Sequence, residues 1–316
     1  MYDVLSLGEA LIDFTTVSAD AEGYPTMAAH PGGAPANFLA ALAKFGAKTV
    51  LISKVGEDSF GRLLLGTLER AGIDTRGLLM DREVFTTLAF VTLDSKGERE
   101  FAFARKPGAD TCIREEEIDL TLIDESRAFH FGTLSLTHEP ARSATVKAVE
   151  YAKAGGKLIS FDPNLREPLW PDLEQAKEQM LWGLEMADVV KISDSEVEFL
   201  FGLEPEEACG YIFETYAPKL LYVTCGAGGC WYMNPKAKGH VDSLKGIHIA
   251  DTTGAGDIFG GSAMYKLLQS GKAPEELEGA ELEELVRFAS TAAGLSATRP
   301  GGISSVPELA EVLALM

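Results

Sequence analysis

Short apolar runs alternate with amphipathic stretches along most of the chain, and this alternation constrains the fold more than any other feature. The short runs predict buried strands, and the longer periodic stretches between them predict helices. Strands and helices in alternation are typical of βα units built around a mainly parallel sheet. We therefore expect an α/β protein with a doubly wound, mainly parallel sheet.

The predicted elements follow each other with short connections. The strands are expected at residues 4–7, 50–53, 128–131, 158–161, 189–192 and 220–224. The helices are expected at residues 35–45, 59–71 with Ser59 as the cap, 139–154, 172–186, 194–201, 255–269 and 282–297. Gly46 and Gly72 directly follow two of these helices, where glycine commonly ends a helix.

One segment interrupts the alternation. Residues 86–93 and 98–105 are typical of two strands joined by the turn Asp94-Ser95-Lys96-Gly97. Phe101 and Phe103 alternate with alanines, so we expect both rings on one face. Such a hairpin either closes over an active site as a lid or packs as a peripheral element, and the residues alone leave both open.

The charge balance excludes whole classes of partner. The 316 residues include 28 Lys+Arg and 48 Asp+Glu, which gives a net charge of −20. Nucleic acids and anionic membranes require a basic surface, so neither is expected as a partner. The four cysteines have no C-x-x-C spacing, and the sequence has no secretory leader and no long apolar run, so we expect reduced thiols and a cytoplasmic protein.

A glycine-rich stretch near residue 254 is the most informative local pattern. Neither a Walker loop nor a dinucleotide-binding G-x-G-x-x-G motif has the required spacing anywhere in the chain. Gly254-Ala255-Gly256 instead opens a predicted helix, whose first N–H groups and dipole can bind an anion. Asp257 then lies in the first turn of the helix, either as a partner of the dipole or as a base that takes a proton from a substrate hydroxyl.

Two stretches of this sequence resemble known signatures. Asp-Thr-Thr-Gly-Ala-Gly-Asp at 251–257 and Gly-Gly-Ala-Pro-Ala-Asn at 32–37 resemble the two signatures of ribokinase-like (PfkB) carbohydrate kinases. Further runs are similar to bacterial fructokinases: residues 8–13, 54–61, 129–132, 161–166 and 223–226. The resemblance implies one ribokinase-like domain over residues 1–316, with a β lid contributed by about residues 14–31 and 84–106.

The resemblance also implies roles for individual residues on the sugar side. Asp257 would be the catalytic base, and Gly254, Ala255 and Gly256 would form the anion hole for the transferred phosphate. The residues expected to bind the substrate are Asp13, Gly33, Asn37, Phe103, Arg105 and Arg166. Carboxylate, amide and guanidinium groups suit the adjacent hydroxyls of a polyol.

On the nucleotide side the resemblance implies binding of ATP and Mg²⁺. The expected nucleotide-binding residues are Lys191, Ser193, Glu196, Thr224, Gly226, Gly228 and Ser290. Glu196 would hold Mg²⁺ through water, and Asp251 would help to bind a monovalent cation such as K⁺. Ser193 and Glu196 also have the spacing of a helix capping box, and both interpretations stay open.

The implied activity is transfer of the γ-phosphate of ATP to a sugar hydroxyl, with fructose as the first choice of substrate and fructose 6-phosphate as product. The alternatives within the resemblance are a 2-keto-3-deoxygluconate kinase, a ribokinase and a nucleoside or riboside kinase. A non-catalytic sugar sensor is the alternative outside enzymes, and loss of Asp257 would be its mark. A homodimer paired through the lid and a monomer are both compatible with the sequence.

Overall fold

The computed structural model describes residues 1–93 and 99–316, except the side chains of residues 93 and 99–101. Its strands are β1 (Tyr2–Leu7), β2 (Leu11–Ala19), β3 (Pro25–Gly32), β4 (Thr49–Gly56), β5 (Ile73–Asp81), β6 (Leu88–Leu93), β7 (Arg99–Ala104), β8 (Ser126–Gly132), β9 (Leu158–Asp162), β10 (Val189–Ser193), β11 (Leu220–Thr224), β12 (Cys230–Met233) and β13 (Lys238–Val241). Its α-helices are α1 (Ala34–Lys44), α2 (Ser59–Arg70), α3 (Leu120–Asp124), α4 (Ala141–Ala154), α5 (Leu173–Met186), α6 (Asp194–Phe201), α7 (Pro205–Tyr216), α8 (Ala255–Ser270), α9 (Gly279–Ser296) and α10 (Leu309–Leu313).

The large sheet confirms the doubly wound α/β prediction. Within the described residues it has nine strands in the order β13-β12-β11-β10-β9-β8-β1-β4-β5. The strands from β11 to β5 are parallel to their neighbours, and β12 and β13 add an antiparallel edge. The parallel strands therefore end at one edge of the sheet, where ligands bind in open α/β sheets.

Helices cover both faces of this sheet. On β1, Val4 packs into a core formed with α1, α8 and α9, whereas Leu5 and Leu7 pack into a second core on the opposite face. Phe288 of α9 and Phe161 of β9 are fully buried in these two cores. A strand that is apolar on both faces is the reason that the sequence shows continuous apolar runs rather than alternation.

A smaller sheet has the strand order β3-β2-β6-β7. Strands β2 and β3 form an antiparallel hairpin, and β6 and β7 form the hairpin predicted from the sequence. Phe14 of β2 stacks on Phe90 of β6 at 5.3 Å between ring centroids and meets Phe60 of α2 edge-on at 5.5 Å, which joins the small sheet to the body. The predicted turn at residues 94–97 and the side chain of Phe101 lie outside the described residues.

Several details differ from the predictions. Asp58, rather than Ser59, caps α2, because its Oδ1 accepts hydrogen bonds from the N–H groups of Phe60 and Gly61, each at 2.8 Å. Helix α9 begins at Gly279, three residues before the predicted start. Strands β5, β12 and β13 and helices α3, α7 and α10 were not predicted at all. No helix in residues 1–93 and 99–316 is long and apolar enough to cross a bilayer.

Candidate active site

The glycine-rich turn at residues 254–256 begins helix α8. Gly254 is the N-cap residue, with a φ of 75°, and a Cβ there would lie 3.0 Å from the Asn37 amide nitrogen. The N–H of Ala255 donates to the Thr252 carbonyl at 3.2 Å and closes the turn. The next N–H groups, of Gly256 and Asp257, belong to the first helical turn, where helix geometry leaves them to bind an anion.

Asp257 lies in this first turn and is half-buried. Its Oδ2 accepts a hydrogen bond from the Asn37 amide at 2.9 Å. Burial, with the nearby Asp162 carboxylate, raises the pKa of Asp257 to about 7, although Asn37, Lys191 and Arg166 act to lower it. A carboxylate with this pKa takes up a proton readily near neutral pH, which suits a general base.

A cavity of about 720 Å³ opens beside Asp257, between the small sheet and the edge where the parallel strands end. Its described walls include most of the predicted sugar-side residues: Asp13, Gly33, Asn37, Phe103, Arg166, Gly254 and Asp257. They also include residues that sequence reasoning did not select: Glu9, Leu11, Ala34, Leu134, Asn164, Leu165, Glu167, Pro168, Thr252 and Thr253. The cavity has room for a small sugar.

Asp13 faces this cavity from strand β2. Burial raises its pKa to about 6, the positive charge of Arg166 lowers it, and the Asp251 carboxylate raises it. Gly32 makes space for the carboxylate, because a Cβ at this position would lie 2.7 Å from Asp13 Oδ2. Of the two glycines at residues 32–33, Gly32 therefore leaves room for the Asp13 carboxylate in the cavity, and Gly33 is the N-cap residue of α1.

Glu9 is a buried carboxyl group that sequence reasoning missed. Its Oε1 accepts a hydrogen bond from the N–H of Ala34 at 2.8 Å, and burial raises its pKa to about 7. The N-cap position of α1, Gly33, has no side chain to perform this role. The signal available in the sequence was the position of Glu9 directly after strand β1, where ligand-facing residues collect.

Arg105 occupies a different place from the one predicted. Its guanidinium is buried and pairs with Asp110 Oδ2, at 2.8 Å from Nε and 2.6 Å from Nη2. It also donates to Thr137 Oγ1 and to the Leu134 carbonyl, each at 2.8 Å. Arg105 is not among the described residues that line the cavity of about 720 Å³ beside Asp257, which we call the sugar-side cavity. Its contacts join the end of the hairpin to the segment after β8.

A second cavity, of about 290 Å³, continues from the first past Asp257 and Gly256. Lys191, Ser193 and Glu196, three of the residues expected on the nucleotide side, line it. The Glu196 carboxylate accepts from the N–H of Ser193 and the N–H of Leu165, each at 2.8 Å, so the predicted capping box is present. Burial of this carboxylate between two backbone segments fixes the position of the loop that carries Arg166.

A third cavity, of about 420 Å³, lies on the other side of Gly256 and is mostly apolar. Thr224, Gly226 and Ser290, which were also expected on the nucleotide side, line it. Gly228 does not line it within the described part of the chain, although both neighbours do, and its carbonyl accepts from His240 Nε2 at 2.8 Å. Thr252 borders all three cavities, so the glycine-rich turn lies at their junction.

Asp251 connects two loops below this turn. Its Oδ1 accepts from the N–H of Thr253 at 2.9 Å and from the Thr253 hydroxyl at 2.7 Å, and its Oδ2 accepts from the N–H of Gly301 at 3.0 Å. Among the described residues, no group of three His, Cys, Asp or Glu side chains is arranged to hold a metal ion. The four cysteines are free thiols.

The chain is similar to known carbohydrate kinases in sequence and in structure. The pfkB family carbohydrate kinase model matches residues 1–309. Fructokinase-1 of Oryza sativa subsp. japonica is 42% identical over 318 residues, covering 99% of this chain and 97% of that protein. The structure of a fructokinase from Xylella fastidiosa with bound ATP has a TM-score of 0.90 and 31% identity, covering 99% and 97% of the two chains. The structure of a fructokinase from Vibrio cholerae O395 in a fructose, ADP and calcium ion bound form has a TM-score of 0.85 and 30% identity, covering 100% and 99%.

Proposed function

The chain belongs to the pfkB family of carbohydrate kinases, and from this premise we propose that it transfers the γ-phosphate of ATP to fructose, giving fructose 6-phosphate. The fructokinases of similar sequence and structure support this choice of substrates. The observation that carries the proposal is the position of Asp257. Its carboxylate lines both the sugar-side cavity and the next cavity, beside the N–H groups that begin α8.

The proposed step follows from this position. The substrate hydroxyl oxygen forms a bond to the γ-phosphorus while the bond between that phosphorus and the β,γ-bridging oxygen breaks, so ADP leaves. The hydroxyl proton moves to Asp257 Oδ. The N–H groups of Gly256 and Asp257 stabilise the charge on the transferred group, because positioning and charge neutralisation supply most of the catalysis in phosphoryl transfer.

The apolar cavity beyond Gly256 is proposed to hold the adenine ring. Its described walls are formed by small and aliphatic residues, among them Leu244, Ile249, Ala293 and Gly294. Such walls suit a flat aromatic ring. From there the phosphates would extend past Thr224 and Gly226 towards the start of α8.

The cations are proposed to arrive with the nucleotide or at Asp251. Glu196 supplies carboxylate oxygens to the second cavity, and Mg²⁺ is commonly bound by one or two carboxylates together with substrate phosphates. When bound, Mg²⁺ would neutralise phosphate charge, with Glu196 holding it through water. The buried Asp251 carboxylate is the proposed anchor of a monovalent cation such as K⁺.

A neutral sugar fits the sugar-side cavity better than an acidic one. Four carboxyl side chains and one guanidinium line its described walls: Glu9, Asp13, Glu167, Asp257 and Arg166. The second predicted arginine, Arg105, is committed to Asp110. A carboxylate-bearing substrate such as 2-keto-3-deoxygluconate would therefore meet more repulsion than attraction.

The proposal is tested by ADP formation with ATP and Mg²⁺ across five acceptors: fructose, ribose, 2-keto-3-deoxygluconate, adenosine and an aminoimidazole riboside. We expect the highest kcat/KM with fructose. A kcat/KM that is higher with ribose or a riboside than with fructose would mean that fructose is not the preferred substrate. Absence of turnover with every acceptor would reject the kinase assignment and favour a sugar sensor.

Pairing of two copies through the small sheet is proposed as well. Val17 and Tyr24, at the outer end of the β2–β3 hairpin, are 61% and 71% exposed. Large exposed apolar residues are common at protein interfaces. Sedimentation velocity should show a dimer that Val17→Asp weakens, and a monomer at all concentrations would contradict this pairing.

A further inference from the structure

A buried ion pair lies behind the glycine-rich turn. Lys191 Nζ donates to both carboxylate oxygens of Asp162, at 2.8 and 3.0 Å. The two side chains are 11% and 6% exposed. Strands β9 and β10 are parallel, and Phe161 of β9 lies beside Val190 of β10. The next residues, Asp162 and Lys191, face the other side of the sheet, because successive side chains of a strand alternate between its two faces. The two charged side chains therefore lie on the same face.

The ammonium group is packed against the backbone that begins α8. A Cβ on Gly256 would lie 3.1 Å from Lys191 Nζ, so the glycine allows this close approach. Lys191 also lines the same cavity as Asp257. Its positive charge is therefore held directly behind the N–H groups proposed to bind the transferred phosphate.

Lys191 remains charged in this position. Burial alone would lower its pKa, but the carboxylates of Asp162, Glu196 and Asp257 raise it above the ordinary value. On the other side of the pair, burial and the Lys191 charge lower the pKa of His130 to about 3, so this imidazole is neutral. Its Nδ1 lies 3.0 Å from Ser160 Oγ.

A buried ion pair generally adds little to stability, because removing two charges from water costs several kcal/mol. Its place beside the reacting groups suggests another purpose. We propose that Asp162 and Lys191 form a positioning pair for phosphoryl transfer, in which Asp162 holds the Lys191 charge under the first turn of α8 so that it stabilises the transferred phosphate and the Asp257 carboxylate. This inference rests on the proposed kinase activity and assigns the pair a role in it.

The two members of the pair act on Asp257 with opposite sign. Several other polar and charged groups line the same cavities as Asp257: Asn37 from α1, Arg166 and Glu167 from the loop after β9, Glu196 from α6, Asp13 from β2 and Glu9 from the segment after β1. Loss of the Asp162 charge leaves only the Lys191 charge and should lower the pKa of Asp257. Loss of the Lys191 charge should leave the pKa of Asp257 higher than in Asp162→Asn, whether or not Asp162 then takes up a proton. A pair with only a structural role would leave kcat unchanged in the folded variants.

The experiment compares Lys191→Met, Asp162→Asn and the double variant with the unmodified enzyme. The first readout is the acid limb of kcat/KM against pH for the best acceptor. We expect this limb to move down by roughly half to one pH unit in D162N and to lie at a higher pH in K191M than in D162N. We also expect kcat to fall about 100-fold in K191M with a KM for the sugar within about threefold.

A matched control is available in Lys54, another buried lysine, whose Nζ lies 2.8 Å from Glu117 Oε1 and 3.2 Å from Asp81 Oδ2. Lys54→Met should leave the acid limb in place. An acid limb at the same pH in K191M and D162N, or a kcat of K191M near that of the unmodified enzyme, would overturn the proposed role.

A second readout does not need turnover. The ¹³C signal of the Asp257 carboxyl, assigned by its loss in Asp257→Asn, should titrate at lower pH in D162N than in the unmodified enzyme, and at higher pH in K191M than in D162N. The double variant, which buries no unpaired charge, provides a folded reference should one single variant unfold. An unmodified enzyme without activity would reject the kinase proposal alone, whereas an active enzyme with unshifted titration in the variants would reject the pair alone.

Discussion

The sugar-side cavity and the apolar cavity lie on opposite sides of the same glycine-rich turn, yet they are built from different chemistry. The first has carboxyl, amide and guanidinium side chains from segments as distant in sequence as Asp13 and Asp257. The second has mostly glycine, alanine and aliphatic walls from the region after β11 and from α9. Polar groups must be aimed individually at a polyol, whereas a ring needs only a slot of the correct width.

The difference has an energetic side. Burial raises the pKa of Glu9 to about 7, of Asp13 to about 6 and of Asp257 to about 7. Each of these carboxylates is less stable when ionised in the folded protein than in water. The carboxylates on the proposed sugar side therefore lower the stability of the fold, although the proposed function needs them. In the apolar cavity, packing favours both the stability of the fold and the proposed binding of the adenine ring.

The largest effect is expected from Asp257→Asn, which keeps the shape of the side chain and removes the base. We expect kcat to fall about 10³-fold, because proton transfer by a positioned group contributes typically that much. Binding of ATP and sugar, measured by calorimetry, should change by less than about threefold. A kcat near that of the unmodified enzyme would exclude Asp257 as the base.

The next largest effect is expected on the KM for the sugar, and it tests whether the cavity beside Asp257 binds the sugar and not ATP. Arg166→Ala should raise the KM for the sugar about 10- to 100-fold, since it removes a guanidinium from the cavity wall, and should leave the KM for ATP nearly unchanged. Arg127→Ala is the control, because Arg127 pairs with Asp3 on the surface at 3.2 Å. Unchanged sugar kinetics in R166A would remove this residue from the binding site.

The complementary change narrows the apolar cavity. Ala293 lines it from α9, and Ala293→Leu should raise the KM for ATP about tenfold while the KM for the sugar stays the same. Ala154→Leu, at the exposed end of α4, controls for the added side chain. An increase in the sugar KM alone would mean that the two cavities have been assigned to the wrong substrates.

The smallest effect concerns stability. A carboxyl group whose pKa is higher in the folded chain binds more protons there, so its contribution to stability falls as the pH rises between the two pKa values. For Asp257 this window runs from 3.8 to about 7. Asp257→Asn should therefore increase the free energy of unfolding at pH 8 by about 1–3 kcal/mol relative to its effect at pH 4. Urea titrations at both pH values measure this difference, and an equal effect at both would contradict it.

The sequence predicted the parts of the fold that local patterns control. The parallel strands were recognised because both of their faces are apolar, and the capping box of Ser193 and Glu196 because it spans only three residues. Helix α7 was missed, as were β12 and β13. The capping residue of α2 was misassigned by one position, since Asp58 and Ser59 are both good caps and only the hydrogen bonds decide between them.

The site was predictable where a motif carried it and not where a tertiary contact decided it. Asp257 and the glycines before it lie where the motif predicts, and so do Asp13 and Asn37. Arg105 could not be placed, because its pairing with Asp110 and Thr137 depends on how the hairpin meets the segment after β8. The ion pair of Asp162 and Lys191 arises from the register of two neighbouring strands, which the sequence does not reveal.

The most direct test of the whole account is a crystal structure with fructose and a non-hydrolysable ATP analogue bound together. We expect the adenine ring in the apolar cavity and the γ-phosphate bound by the N–H groups of Gly256 and Asp257. We expect the C6 hydroxyl of fructose about 3 Å from the Asp257 carboxylate. A sugar bound with its C6 hydroxyl on another side chain, or a γ-phosphate far from the start of α8, would contradict it.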